Sequence, residues 1–255
     1  MSRYLMNPQE LKAHYDRDGF LVVPQFLPDE DFAELKRELD HYIQTVVPTL
    51  PDSDAFYVDK SRPETLKQLQ HMGGDPFFRE YANHPRWKEL AELLLGEEAN
   101  SRGAEWFNKP AGTNAPTPAH QDNYYFNFDP PNVLTMWLAL EDVDEENGCL
   151  RYVRGSHRQG RRPHASSQVL GFSQGITDFG PEDEANEVCM SLKANDLLIH
   201  HGWTVHRAEP NRSTTRHRPS FAIVFQGVSC QIDDEGRQRY EAEMRAQHEA
   251  LGLKN

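Results

Sequence analysis

Three residues, two of them neighbours and one far along the chain, could do chemistry together: His120, Asp122 and His206. In His120-Gln121-Asp122 two donors stand at i and i+2, which on a strand point to one face and reach one ion. His206 closes the set from beyond the apolar run Leu197-Leu198-Ile199. Two neutral imidazoles and one carboxylate on one face of an octahedron leave three adjacent positions open, the arrangement of oxygen-activating iron(II) sites. The same donors also suit zinc with an open position, the arrangement of a hydrolase. His-x-Asp alone is a weak signal.

A second group strengthens it. Arg218-Pro219-Ser220 opens a strand-like run through Phe221, Ala222, Ile223, Val224 and Phe225. Arg218 and Ser220 share a face by the period of two, and a guanidinium fork beside a hydroxyl suits the distal carboxylate of a dicarboxylic keto acid. Arg216 competes for this role, but only Arg218 has a hydroxyl two positions later in an apolar strand. A zinc hydrolase would leave both residues without a purpose. His200 shares the parity of His206 and reads as a histidine supporting the site rather than a fourth ligand. Of Tyr124 and Tyr125, one should face the cavity and the other pack outside it. Arg161, Arg162 and His164 read as a solvated charge run, and His157 as part of a Gly-Ser-His turn.

The elements that must position these residues fall into two textures. Early in the chain, Gly19 to Pro24 is a short apolar strand. Phe32, Leu35, Leu39, Tyr42, Ile43 and Val46 recur at helical spacing, and Trp87 to Leu95 is a helix stopped by Gly96. Pro48 to Arg62 reads as a loop. From about Ala104 short strand-like segments follow: Val133–Leu140, Leu150–Val153, Glu187–Leu192, Asp196–His201 and Ser220–Val228. This spacing favours a β-sandwich or jelly roll over a parallel sheet. Arg161 to Glu184 is long and rich in Ser, Gly, Pro and Asp, as a lid or insertion would be. Asp234 to Leu251, with Tyr240, Met244 and Leu251 on one side, predicts a peripheral helix.

Composition narrows the partners. A formal charge of −13 opposes broad attraction to nucleic acid or an anionic membrane. Met1 to Asn7 does not read as a leader, and no apolar run approaches the roughly 18 residues of a membrane span, so a cytoplasmic protein with a small-molecule partner is expected. Its oligomeric state is open. The odd, widely spaced Cys149, Cys189 and Cys230 predict buried thiols, with neither a disulfide framework nor a cysteine zinc site. The length of 255 residues requires one domain only.

Taken in order, these segments resemble the phytanoyl-CoA dioxygenase family of iron(II) and 2-oxoglutarate oxygenases, which includes ectoine hydroxylase-like enzymes. The likeness runs over nearly the whole chain: Tyr15-Asp16-Arg17-Asp18-Gly19-Phe20, then His120-Gln121-Asp122-Asn123-Tyr124-Tyr125, Trp137 to Asp142, Glu146-Asn147-Gly148-Cys149-Leu150, Gly155-Ser156-His157, and Asp196 ten residues before His206. Arg207-Ala208 departs from the family's Gly-Ser after the distal histidine. The resemblance implies a mostly β fold, a cupin-like double-stranded β-helix with flanking N-terminal α-helices. Within residues 1–255 as a single domain it implies a mainly helical flank at 1–103, a jelly-roll core at 104–230 and a C-terminal helix at 231–255. It assigns iron(II) to His120, Asp122 and His206, and 2-oxoglutarate to Arg218, assisted by Ser220, Trp137 and Lys109, with O₂ as the further reactant. Because related halogenases replace the ligand carboxylate, Asp122 points to C–H hydroxylation with release of succinate and CO₂. Desaturation or epimerisation at the same centre, or a non-catalytic metal-binding jelly roll, are the alternatives.

Overall fold

The computed structural model describes residues 7–113, 116–169 and 172–250, without the side chains of 168–169, 172–173 and 246–250. Met1–Met6 and Leu251, on which the leader and last-helix readings partly rest, lie outside the described residues. Helix α1 (Pro8–Asp18) begins with a capping box between Asn7 and Glu10 and ends at Gly19, whose φ of 82° is left-handed. A Cβ at Gly19 would also collide with His157 and Thr204, so the turn into strand β1 (Phe20–Val23) requires glycine twice over. Helix α2 (Asp29–Thr45) follows, then β2 (Ala55–Tyr57), β3 (Leu66–Leu69), α3 (Pro76–Tyr81), α4 (Pro85–Leu95) and β4 (Ala99–Phe107).

Helices α1 to α4 make up most of the regular structure before residue 104, but this flank also supplies β1, β2, β3 and most of β4, and the stretch from Pro48 to Arg62, expected as a loop, contains β2. Beyond β4 come β5 (Thr117–His120), α5 (Asn123–Phe126), β6 (Phe128–Asp129), β7 (Val133–Ala139) and β8 (Leu150–Val153). A hairpin of β9 (His164–Val169) and β10 (Phe172–Ile176) occupies much of the expected lid. The chain continues through α6 (Pro181–Asn186), β11 (Glu187–Cys189), β12 (Leu197–His201), β13 (His206–Ala208), β14 (Ser220–Gly227), β15 (Gln231–Ile232) and α7 (Asp234–Ala250).

Eleven of these strands form the two antiparallel sheets of a jelly roll, while β9 with β10 and β6 with β15 form two small ribbons. The major sheet runs β1-β12-β7-β14-β4-β3-β2 and the minor sheet β11-β8-β13-β5. Strand β7 explains how they are layered, because all its residues are buried. Alternation sends Leu134, Met136 and Leu138 into a core with Leu35, Leu39, Trp87, Leu90 and Leu94 of the helices. The same alternation sends Trp137 and Ala139 the other way, against Phe20, Leu150, Tyr152, Leu198 and Ala222 between the sheets. Helices thus cover one face of the major sheet, and its other face lines the cavity. Truncating Leu90 or Leu94 to Ala would cost about 2–5 kcal/mol in such a core.

The cysteine expectation is corrected here. Cys149 and Cys189 form a disulfide across a Cα separation of 6.5 Å, tying the start of β8 to β11, and only Cys230 is a free thiol. A sequence separation of 40 hid a proximity that antiparallel pairing of β8 with β11 creates. Among the described residues no helix is long and apolar enough to cross a membrane.

Candidate metal centre

His120 ends β5, and His206 begins β13 directly opposite it in the sheet register. Their rings lie 4.1 Å apart, centroid to centroid. Asp122 reaches them by a different route from the one expected. It does not continue the strand: its backbone is already helical, with φ −59° and ψ −38°, at the start of α5. The turn swings the carboxylate back, so that Oδ1 stands 3.4 Å from His120 Nε2 and 3.5 Å from His206 Nε2. Bonds of about 2.1 Å at right angles subtend ligand edges of about 3 Å, so these three atoms are close to the spacing a single cation imposes. No other cluster of His, Cys, Asp or Glu among the described residues has that geometry.

Backbone carbonyls settle which nitrogens face the centre. His120 Nδ1 lies 2.8 Å from the Pro118 carbonyl and His206 Nδ1 3.0 Å from that of Thr204. A carbonyl can only accept, so each Nδ1 carries the hydrogen and each Nε2 keeps its lone pair for a metal. Burial, then the neighbouring His120, pushes His206 well below the ordinary imidazole range, which keeps it neutral. Asp122 is equally constrained. Thr135 Oγ1 donates to its Oδ2 at 2.6 Å, and His200 Nε2 donates to the same oxygen at 2.9 Å. Tyr152 donates in turn to His200 Nδ1 at 2.9 Å. Oδ2 is thereby occupied and Oδ1 is left to ligate. Burial alone would raise this carboxyl, but the surrounding imidazoles hold it well below the usual carboxylate range.

The second group lies along the same cavity. Lys109 and Arg218 exchange backbone hydrogen bonds at 3.3 and 3.1 Å, and Asn211 clamps both flanks by donating to the carbonyls of Lys109 and Arg216. Gly148 leaves room for the Lys109 stem, since a Cβ there would lie 2.7 Å from its Cδ. Arg218 is buried, with its guanidinium carbon 5.1 Å from the Trp137 ring. Its Nε and Nη1 have no hydrogen-bond partner. Burial brings its pKa down to about 10 and pushes Lys109 well below the ordinary lysine range, with Arg218 adding to the effect. A buried guanidinium with unsatisfied donors is a site for an anion. Arg216, the competitor, is instead paired with Asp144 at 2.8 Å and Glu146 at 2.6 Å on the surface. Ser220 directs its hydroxyl to the Phe107 carbonyl at 3.2 Å. Lys67, Phe107, Lys109, Thr117 and Arg218 line a cleft at this end of the barrel.

Over the metal ligands sits a roof. Tyr125 meets the His120 ring edge-on at 5.8 Å and donates to the Gln174 carbonyl of β10 at 2.8 Å. Tyr124 turns away and stacks on His164 at 4.0 Å, under Arg161. The run Arg161, Arg162 and His164 is more engaged than a solvated charge run: Arg162 holds Asp183 at 2.6 Å and Asp178 at 2.9 Å, and His164 accepts the Gln121 amide. His157 anchors to the Asp16 carbonyl at 3.1 Å. After the distal histidine, Arg207 forks onto Glu187 at 2.6 and 2.9 Å.

Three residues of the site escaped sequence reasoning. Thr135 and Tyr152 carry hydroxyls on the inward faces of β7 and β8, polar atoms among apolar inward neighbours that mark them once the alternation is known. Glu105 is the third. Its neighbours Ala104 and Trp106 enter the helix-side core, so Glu105 points into the barrel. Burial, then the charge of Asp122, pushes it up to about 7.

A jelly roll with a two-histidine, one-carboxylate face and a buried cationic pocket defines an iron(II)- and 2-oxoglutarate-dependent oxygenase, an enzyme that also consumes O₂. The family model "Phytanoyl-CoA dioxygenase (PhyH)" matches residues 15–219, and the chain belongs to that family. Peroxisomal phytanoyl-CoA dioxygenase of Bos taurus is 26% identical over 242 residues, 89% of this chain and 71% of that protein. The epimerase SnoN, solved with Fe3+, alpha ketoglutarate and nogalamycin RO, is 26% identical with a TM-score of 0.71, covering 88% of this chain and 85% of its own. EctD from S. alaskensis, solved with 2-oxoglutarate and 5-hydroxyectoine, shares the fold at a TM-score of 0.71 and 18% identity over 89% of this chain and 78% of its own.

Proposed function

We propose that the enzyme hydroxylates an aliphatic C–H bond of a small molecule, with His120, Asp122 and His206 holding iron(II) and Arg218 holding 2-oxoglutarate. Bound iron with 2-oxoglutarate and O₂ supplies the oxidising chemistry, which leaves succinate and CO₂ beside the hydroxylated product. This chain's residues do the rest. The imidazoles and Asp122 Oδ1 orient the centre; Arg218 pairs with the distal carboxylate of the keto acid; Trp137 stacks under that guanidinium; Lys109 adds positive charge; Ser220, two residues along from Arg218, assists by tying its strand to the Phe107 carbonyl. Tyr125 and the β9–β10 hairpin exclude water above the ligands.

The observation that carries this reading is the buried guanidinium of Arg218 with two unsatisfied nitrogens beside an assembled ligand face. Zinc hydrolysis gives that arginine no task. Epimerisation, named for SnoN, begins at the same kind of centre and is the second reading; it differs in whether oxygen enters the product. We further propose one catalytic domain over 1–255, a cytoplasmic setting, and no nucleic-acid or membrane partner. The test is anaerobic titration with iron(II) and 2-oxoglutarate, following the weak visible metal-to-ligand charge-transfer band. The band is expected in the wild type, absent in Asp122→Ala and weakened in Arg218→Ala; an identical band in all three overturns the assignment. Mass spectrometry of product formed under ¹⁸O₂ separates hydroxylation from epimerisation.

A further inference from the structure

Glu105 has no task in the reading above, although its place in the barrel gives it one. The register sets it opposite Ala222, which in turn faces Trp137. Two interstrand spacings, about 10 Å, therefore separate the backbones of Glu105 and of the tryptophan under Arg218, with only the small side chain of Ala222 between them on that face. Glu105 makes no hydrogen bond or ion pair with any described residue. The two basic groups that sense its charge are directed elsewhere. Arg102 donates to Gln226 at 2.9 Å and covers Phe128 at 5.0 Å, while His71 contacts Asp54 at 3.1 Å. A half-buried carboxylate pointing into the barrel, with neither cation turned toward it, is electrostatically incomplete.

We propose that Glu105 is the specificity-determining residue of the cavity and accepts a hydrogen bond from an ammonium group of the substrate, which would place the substrate among small aliphatic amines. This rests on the oxygenase reading and deepens it. A hydroxyl group satisfies the same acceptor more weakly, because a hydrogen bond between two charged groups is roughly twice as strong as one with a neutral donor.

The test uses zinc(II)-substituted protein loaded with 2-oxoglutarate, and three probes of one shape: cyclohexylamine, cyclohexanol and cyclohexanecarboxylate. Their dissociation constants are measured by saturation-transfer NMR on wild type and Glu105→Gln, with thermal unfolding as a check of folding. Wild type is expected to rank the amine first. Glu105→Gln is expected to weaken the amine by about tenfold, the alcohol by less, and to tighten the carboxylate. A wild type that prefers the carboxylate, or an amine affinity unchanged or unmeasurable in both proteins, overturns the proposal. Titration of 2-oxoglutarate on the same samples separates the failures. If the wild type does not bind it, the oxygenase assignment falls and this proposal with it; if both proteins bind it alike while the amine preference is absent, only the role of Glu105 falls.

Discussion

Replacing Arg218 with methionine should do opposite things to the two states of this protein. Without a co-substrate, Arg218 is a buried cation whose Nε and Nη1 meet no acceptor. Breaking a buried ion pair commonly costs about 3–5 kcal/mol, but here there is no pair to break. The variant removes a desolvated charge and loses the stacking on Trp137, worth about 1–2 kcal/mol. Methionine keeps most of the volume, so the free protein should change by less than about 1 kcal/mol in either direction. With 2-oxoglutarate the balance reverses. Two charge-assisted hydrogen bonds to its distal carboxylate would contribute about 4 kcal/mol together, roughly a thousandfold in Kd. Scanning calorimetry of the anaerobic iron(II) protein reads both effects. At a hundredfold excess over Kd the co-substrate stabilises the wild type by about 2.7 kcal/mol, a rise of roughly 5–10 °C in Tm for a chain of this size. Arg218→Met should start at nearly the wild-type Tm and show no such rise. A variant that loses more than about 3 kcal/mol by itself, yet still responds to 2-oxoglutarate, would mean that Arg218 is a structural ion and that the pocket has been misassigned.

Three further outcomes are expected. His200→Phe removes one of the two donors to Asp122 Oδ2 and should weaken iron(II) binding by about 10- to 100-fold in a metal-buffered titration while the fold persists; unchanged affinity would make the Tyr152–His200–Asp122 chain incidental. Asp18, bonded to Arg17 and then Arg154, is held down to about 2 in the folded protein. Its folded pKa lies below the unfolded one, so its contribution of about 2 kcal/mol is present above pH 4 and disappears as pH falls toward 2; Asp18→Asn should flatten the acid limb of stability over that window, and an unaltered limb would discount the pair. Cys149→Ser opens a loop of 40 residues, which in the chain-entropy account costs about 4 kcal/mol. Its Tm should fall below that of oxidised wild type and match that of wild type held in reductant; equal Tm values under all conditions would show that the link adds nothing.

The strands that carry the site were legible because two-sided burial leaves a strong trace. β7, β8, β12 and β14 are short, largely apolar and set between Asn, Asp, Gly or Pro, and each lies within one residue of the expected bounds. The strands of the flank were not. β4 reads Ala-Asn-Ser-Arg-Gly-Ala-Glu-Trp-Phe, with polar residues at its solvent end and a charge at the cavity, so its alternation is masked by function. Helix α1 was missed for a related reason: only Leu11, Tyr15 and Asp18 are buried, too few to display a period. At the site, His120, Asp122 and His206 could be named from type and order, but the expected geometry for Asp122 was wrong because one helical residue, invisible to a period-two pattern, redirects its side chain. Hydrogen-bond saturation separated Arg216 from Arg218, and that depends on where Asp144 and Glu146 stand in space. Cys149 and Cys189 illustrate the same limit, since only strand pairing brings them together.

The backbone carbonyls that lock both imidazoles have a practical consequence at the bench. A ligand face assembled before any ion arrives does not discriminate by shape among divalent first-row metals, and their intrinsic order places cobalt, nickel, copper and zinc above iron(II). Protein recovered from an immobilised-nickel resin will therefore carry the wrong ion in part of its molecules. Such preparations should look inert until they are stripped with a chelator and refilled with ferrous salt in the absence of air.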